Sequence, residues 1–247
     1  MYLTKVVELR IYDGNDNIAN LYTNSNPEGD SMYGKSIQDY INSRLGKTTD
    51  KNEKALLLTI VAYGTYAQDY FRNVKGNQLV DATFLSSVLE PFGLSMPDIS
   101  GITADMVNRV NNKGTNEAGV GFALKAFSVA LDAAVDLTLK FEMASGYDLD
   151  DYSYVLTDVS GATKELVPSK ESGRCVLVIK SIAAAYWDHE YTITVTNKVT
   201  GETNVWGTSV LALVTTKIKS TNAVEKEKNI VKAMYLYNLA ADAYFTK

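Results

Sequence analysis

Few residues in this chain of 247 are equipped for chemistry. His189 is the only histidine, set in Asp188-His189-Glu190. One imidazole rules out multi-histidine metal centres and limits a Ser-His-Asp triad to this ring. No G-x-S-x-G elbow accompanies it. An exposed or core-capping histidine fits better than a catalytic base. Cys175 is the only cysteine, so no intrachain disulfide forms. Its place in the apolar run Cys-Val-Leu-Val-Ile suits a small buried hydrophobe rather than a reactive thiol.

Carboxylates cluster twice. Asp13, Asn15 and Asp16 resemble part of a calcium loop but lack its terminal bidentate glutamate, and a hairpin turn explains them. Asp148, Asp150 and Asp151 form an acidic edge, a weak candidate calcium site whose simpler reading is a solvated loop. Calcium is thus the one cofactor the sequence leaves open; no other is expected. A glycosidase would need two carboxylates facing one another, and among 29 acidic residues the sequence singles out no such pair. Sixteen tyrosines and the large faces of Trp187 and Trp206 raise a different chemistry, stacking on sugar rings or filling a partner interface. Trp187 and Trp206 are therefore the candidate ligand-binding residues.

The net charge of −5 and pI near 5.0 argue against a nucleic-acid partner, because phosphate binding needs clustered cations. Lys226 and Lys228 are interleaved with Glu225 and Glu227, as on a solvated helix start. No apolar run is long enough to cross a bilayer. The chain opens directly into the strand-like pattern Val-Val-Glu-Leu-Arg-Ile-Tyr, as expected of a segment excised from a longer parent.

The elements that position these residues carry an internal repeat. Glu53, Lys54, Tyr63, Ala67, Tyr70 and Phe71 recur at one constant offset as Glu227, Lys228, Tyr237, Ala241, Tyr244 and Phe245. Around them, Leu56, Ile60, Tyr63, Ala67, Tyr70 and Phe71 fall at helical steps and predict one apolar stripe. Asp50 with Glu53 reads as a variant capping box. Residues 2–24 read as a hairpin, with Asp13–Asn17 as its turn and Ile18–Tyr22 as its return, followed by a polar loop to Gly34. Ser36–Leu45 and Gln78–Leu89 read as helices, and 91–116 as irregular with a short helix near Asp105–Val110. From about Gly119 the period becomes two. Strands are expected at 120–127, 135–143, 152–158, 164–167, 174–180, 191–196 and 203–206. Ser145-Gly146, Ser160-Gly161, Ser172-Gly173 and Thr200-Gly201 supply the turns. Ser209–Ile218 reads as a helix.

The expected fold is α+β: an antiparallel β-sandwich-like region with helices, and a duplicated unit of hairpin, short helix and long helix. Residues 1–76 would form a truncated first unit, 77–116 a connector, and 117–247 the sandwich-like region ending in the second helices. The repeated Y-x-x-x-A-x-x-Y-F, with the block Ser181-Ile182-Ala183-Ala184 and the strand Tyr191–Val195, resembles an uncharacterised module. That module recurs in very large secreted or cell-surface proteins of anaerobic Gram-positive bacteria. The resemblance implies an extracellular location and a multidomain parent, and it carries over no catalytic residue. The expected function is a non-enzymatic structural or adhesive module. Its partners would be other domains of the parent chain, a glycan or a cell-surface protein. A carbohydrate-binding module using Trp187 and Trp206 and a hydrolase with its site in 91–116 are the alternatives.

Overall fold

The structure is a computed structural model that describes residues 7–10, 21–23, 26–30, 32–35, 37–75, 89–107, 113–114, 122–131 and 135–246. The fold is α+β, and the described residues form helices, antiparallel sheets of four and five strands and two two-stranded pairs. The chain divides into two compact units, Met1–Pro97 and Asp98–Lys247. The boundary therefore falls inside the expected connector 77–116. Residues 89–96 belong with the first helices, and 98–107 with the second unit. The expected helix 78–89 lies almost wholly outside the described residues, as do Asp13, Asn15 and Asp16.

In the first unit, β1 (Val7–Arg10) pairs with β4 (Met32–Lys35), placing Leu9 opposite Tyr33. The short strands β2 (Leu21–Thr23) and β3 (Asn26–Asp30) pair with each other in between. The Asp13–Asn17 turn and residues 18–20 of the expected hairpin lie outside the described residues; β1 pairs with a segment beyond them, and part of the expected polar loop is strand. A run of turn residues marks where a chain can reverse, but it does not choose the partner of a strand.

Helix α1 (Ile37–Leu45) and helix α2 (Lys51–Lys75) follow. Ile41 and Leu45 pack with Leu57, Val61 and Leu89, closed by Phe92, Leu94 and Met96. Asp50 caps α2 as expected, its Oδ1 accepting from Asn52 N at 2.8 Å. Glu53 is buried and clamps the two helices. Its carboxylate accepts from Arg44 Nε at 2.7 Å and Nη2 at 2.8 Å, and from the Thr48 hydroxyl. Those bonds, Thr48 first and Arg44 next, hold its pKa below the ordinary glutamate value. The single stripe expected for α2 is too narrow. Leu56, Leu57, Thr59, Val61, Ala62, Tyr63, Thr65, Ala67 and Gln68 are all buried, which covers every side of the helix.

The second unit is built on two sheets. One has the order β10-β11-β7-β6 and the other β5-β13-β12-β8-β9. Their strands are β5 (Lys113–Gly114), β6 (Phe122–Leu131), β7 (Val135–Met143), β8 (Tyr152–Thr157), β9 (Thr163–Glu165), β10 (Ser169–Glu171), β11 (Arg174–Ile182), β12 (Tyr191–Asn197) and β13 (Thr203–Thr208). The seven expected strands are all present; β5 and β10 were missed because they span two or three residues. The four glycines of the expected turns, Gly146, Gly161, Gly173 and Gly201, all have positive φ. Alternate residues enter the interior on β7 (Leu137, Leu139 and Phe141) and β12 (Ile193 and Val195), whereas Cys175, Val176 and Leu177 of β11 are all buried. Phe122 is the hub of an aromatic cluster, with ring centroids 4.7 Å from Phe141, 5.1 Å from Tyr152 and 5.9 Å from Tyr154 and Trp206.

Helix α3 (Ala104–Val107) packs against helix α4 (Val210–Lys219), and helix α5 (Glu225–Phe245) follows. Ser209 caps α4, its hydroxyl accepting from Ala212 N at 3.0 Å. Lys217 in the last turn of α4 pairs with Glu227 in the first turn of α5 at 2.7 Å. Arg44 and Glu53 occupy the matching positions in the first unit. The matches extend outward. Tyr33-Gly34-Lys35-Ser36 before α1 parallels Trp206-Gly207-Thr208-Ser209 before α4. Leu9 faces Tyr33 as Ile193 faces Trp206. Tyr70–Phe71, one turn before the end of α2, and Tyr244–Phe245, at the end of α5, make the same edge-to-face contact.

Two measurements probe this architecture. Ser181 sits in the bulge between Ile179 and Ile182 at φ 60°, its N–H donating to Asp136 Oδ1 at 2.7 Å. A β-branched residue there is strained, so Ser181→Val should lower unfolding stability by about 1–2 kcal/mol in urea denaturation, while Ser181→Gly keeps the bond and the stability. Glu53 has a lowered folded pKa, so its contribution is present above the unfolded value and lost as pH falls through the folded one. The α1–α2 pair should loosen on acidification below about pH 4. Glu53→Gln should weaken the native protein at neutral pH and flatten that acid limb.

Candidate functional site

The tryptophans are the residues the sequence offers for a ligand, and both are interior. Trp206 is 2% exposed and packs edge-on against Phe141 at 4.9 Å in the sandwich. Trp187 is equally buried, follows the 3-10 turn Ala184–Tyr186, and donates its indole N–H to Ile182 O at 3.1 Å. Its ring meets Tyr237 of α5 at 5.4 Å and 89°, and its carbonyl accepts from Leu211 N of α4. Trp187 thus ties the end of β11 to both C-terminal helices. A sugar needs an uncovered ring face, so the assignment of Trp187 and Trp206 to ligand binding is corrected. They alternate into a core whose second wall the sequence does not display. Of the recurring tyrosines, Tyr63 is buried and Tyr70, Tyr237 and Tyr244 are half-buried, whereas Phe245 is exposed.

Asp148, Asp150 and Asp151 do stand together, around the 3-10 turn Leu149–Asp151, but their roles there are structural. Asp148 Oδ1 accepts from Leu149 N at 2.8 Å and from Lys170 Nζ at 3.0 Å, which keep its pKa low in that order. Asp151 Oδ2 accepts from Asp148 N at 2.7 Å, completing a capping box. Asp150 contributes its backbone carbonyl to Lys198 Nζ. Among the described residues no group of three or more His, Cys, Asp or Glu is placed to hold a metal ion. In the described part of 91–116, Asp98 accepts from Ser100 N and Oγ, and Asp105 is exposed.

His189 is half-buried, its ring 5.0 Å from that of Tyr186. Glu190 beside it lies over Gly207, where a Cβ would stand 2.8 Å from Glu190 Oε1. Cys175 is fully buried, and burial pushes its thiol up to about 11, so it stays protonated and unreactive.

A concave feature of the second unit lies near this end. A cleft of about 800 Å³ opens where the chain crosses from β9 to β10, from one sheet to the other. Leu156, Leu166, Val178 and Ile182 give it apolar walls, and Tyr186 and Tyr191 stand at one end. Burial, then Asp158 and Asp188, push the Tyr191 phenol up to about 12. Asp158 also lines the cleft, but its Oδ1 is engaged by Ser160 N at 2.9 Å, the Ser160 hydroxyl at 2.6 Å and Ala162 N at 3.1 Å. Sequence reading missed this cleft; Pro168, one residue before β10, is the signal that could have marked it. The chain matches no family model, no curated protein and no solved structure. No helix among the described residues is long and apolar enough to cross a membrane.

Both tryptophans should behave as core residues. Iodide should quench little native fluorescence, and Trp206→Ala should cost about 3–5 kcal/mol of stability. Strong quenching, or a folded Trp206→Ala protein of unchanged stability, would contradict their burial.

Proposed function

We propose that this chain is a structural or adhesive module of a bacterial surface or secreted protein, acting through its shape and surface. The observation that carries this reading is how the recurring residues are used. Glu53 with Arg44 and Glu227 with Lys217 clamp a short helix to a long one, and Tyr63, Ala67 and Ala241 are buried. Residues invested in cohesion fit a protein whose product is a durable surface.

We read the matching segments as copies of one duplicated unit. Strand pair, aromatic-Gly-x-Ser, short helix, cation–glutamate clamp and Tyr-Phe pair on the long helix recur in one order, which supports that reading. The surface location and the longer parent rest on the resemblance carried by Tyr63, Ala67, Tyr70 and Phe71 and their counterparts. A single, buried cysteine is compatible with an extracellular setting.

Mild protease treatment of intact source cells should release peptides of this chain, and the purified protein should turn over no member of a polysaccharide or peptide panel. Protein protected inside intact cells would refute the surface location. Turnover abolished by His189→Ala would refute the non-catalytic reading.

A further inference from the structure

The cleft beside β11 exposes an unfinished sheet edge. The hairpin between β10 and β11 turns on Ser172 and Gly173, both at positive φ, which is the two-residue type I′ geometry. Its flanking pair, Glu171 and Arg174, is then hydrogen-bonded, and bonding alternates along the ladder. Arg174 and Val176 turn their backbone groups toward β10, while Cys175, Leu177 and Ile179 turn theirs toward β7. By the same alternation, Val178 and Lys180 direct N–H and C=O to the β10 side. There β10 has already ended, since its pairing begins at Ser169 opposite Val176.

Pro168 stands at the stop. It lies one residue beyond the last paired position with a fixed φ, and the chain has left β11 by Leu166, whose N bonds Tyr154 O at 2.9 Å in the other sheet. The departure leaves the gap that is the cleft, with Val178 and Lys180 in its lining. The open edge spans three residues, Val178 to Lys180, about 10 Å at strand rise. Beyond it the Ser181 bulge bends the strand away. Val167, at 88% exposure, is an apolar side chain on the cleft lip.

From this we infer that the cleft is a docking groove for an extended peptide of a partner protein, which adds as a short strand to the open edge of β11 at Val178 and Lys180. Backbone donors and acceptors at strand spacing are met in full by another strand. The apolar walls favour a peptide with apolar side chains at alternate positions. Lys180 and the bulge keep the edge short and discourage indiscriminate pairing. This deepens the adhesive reading and rests on it, since it names the class of partner such a module would hold.

The probe is a blocked peptide of alternating valine and threonine, ended by one lysine and one glutamate, added to the full chain. Amide hydrogen exchange read by NMR should slow at Val178 and Lys180 by roughly tenfold or more at saturation. The same peptide N-methylated at alternate amides should give no protection, and Val178→Pro, which removes one N–H, should not bind. If Val178→Pro fails to fold, the N-methylated peptide still decides. No protection at millimolar peptide, protection elsewhere, or equal binding of the N-methylated peptide would each overturn strand docking. None of these outcomes bears on release of the chain from intact cells, so the two readings fail separately.

Discussion

The second unit depends on one constraint: two sheets, each apolar on alternate residues, must bury those faces against each other. Phe122 shows how the constraint is met. Its ring lies within 6 Å of rings from β7, β8 and β13, so it joins both sheets. Removing that shared interior would leave Leu137, Leu139, Ile193 and Val195 facing water. At roughly 25 cal/mol per Å² of apolar surface, no turn or surface ion pair compensates for such exposure. The placement of both tryptophans follows, since large rings are the efficient way to fill a layer about 10 Å thick.

Helices are attached to this interior by directed polar contacts. Trp187 accepts from Leu211 N and packs on Tyr237, while Asn238 Nδ2 donates to Ala184 O at 2.8 Å. The α4–α5 connection adds Lys217 to Glu227, and the α1–α2 connection of the first unit uses Arg44 and Glu53 in the same way. The two clamps differ in environment. Glu53 is buried and doubly bonded by a guanidinium, a geometry a lysine cannot reproduce. The Lys217–Glu227 pair is more open to solvent and correspondingly weaker. Stable cohesion and an incomplete edge coexist because the chain passes from β9 in one sheet to β10 in the other, and β10 pairs with β11 only from Ser169 onward.

What was legible in the sequence was local. Alternation of apolar residues located β7, β8 and β12, a continuous apolar run located β11, and glycines after serine or threonine located turns whose φ is positive. Asp50 announced the cap of α2, and the apolar setting of Cys175 announced its burial. Each of these depends on a few neighbouring residues and their own dihedral or solvation preferences.

Pairing and enclosure were decided only in three dimensions. The turn-rich run after β1 pointed to an early return, yet β1 pairs with Met32–Lys35, because a strand accepts any edge of suitable register. The stripe on α2 became burial on all sides, because periodicity describes a helix and not the number of surfaces around it. Trp187 and Trp206 looked available and are covered, because a ring's exposure depends on what folds over it. The β11 edge has only Pro168 as a local sign, because the length of pairing between β10 and β11 depends on where the chain joins the other sheet. The sequence by itself therefore determined elements, turns and caps, whose energies are local. Tertiary structure alone determined strand partners, the fate of the aromatics and the open edge, whose energies arise between segments.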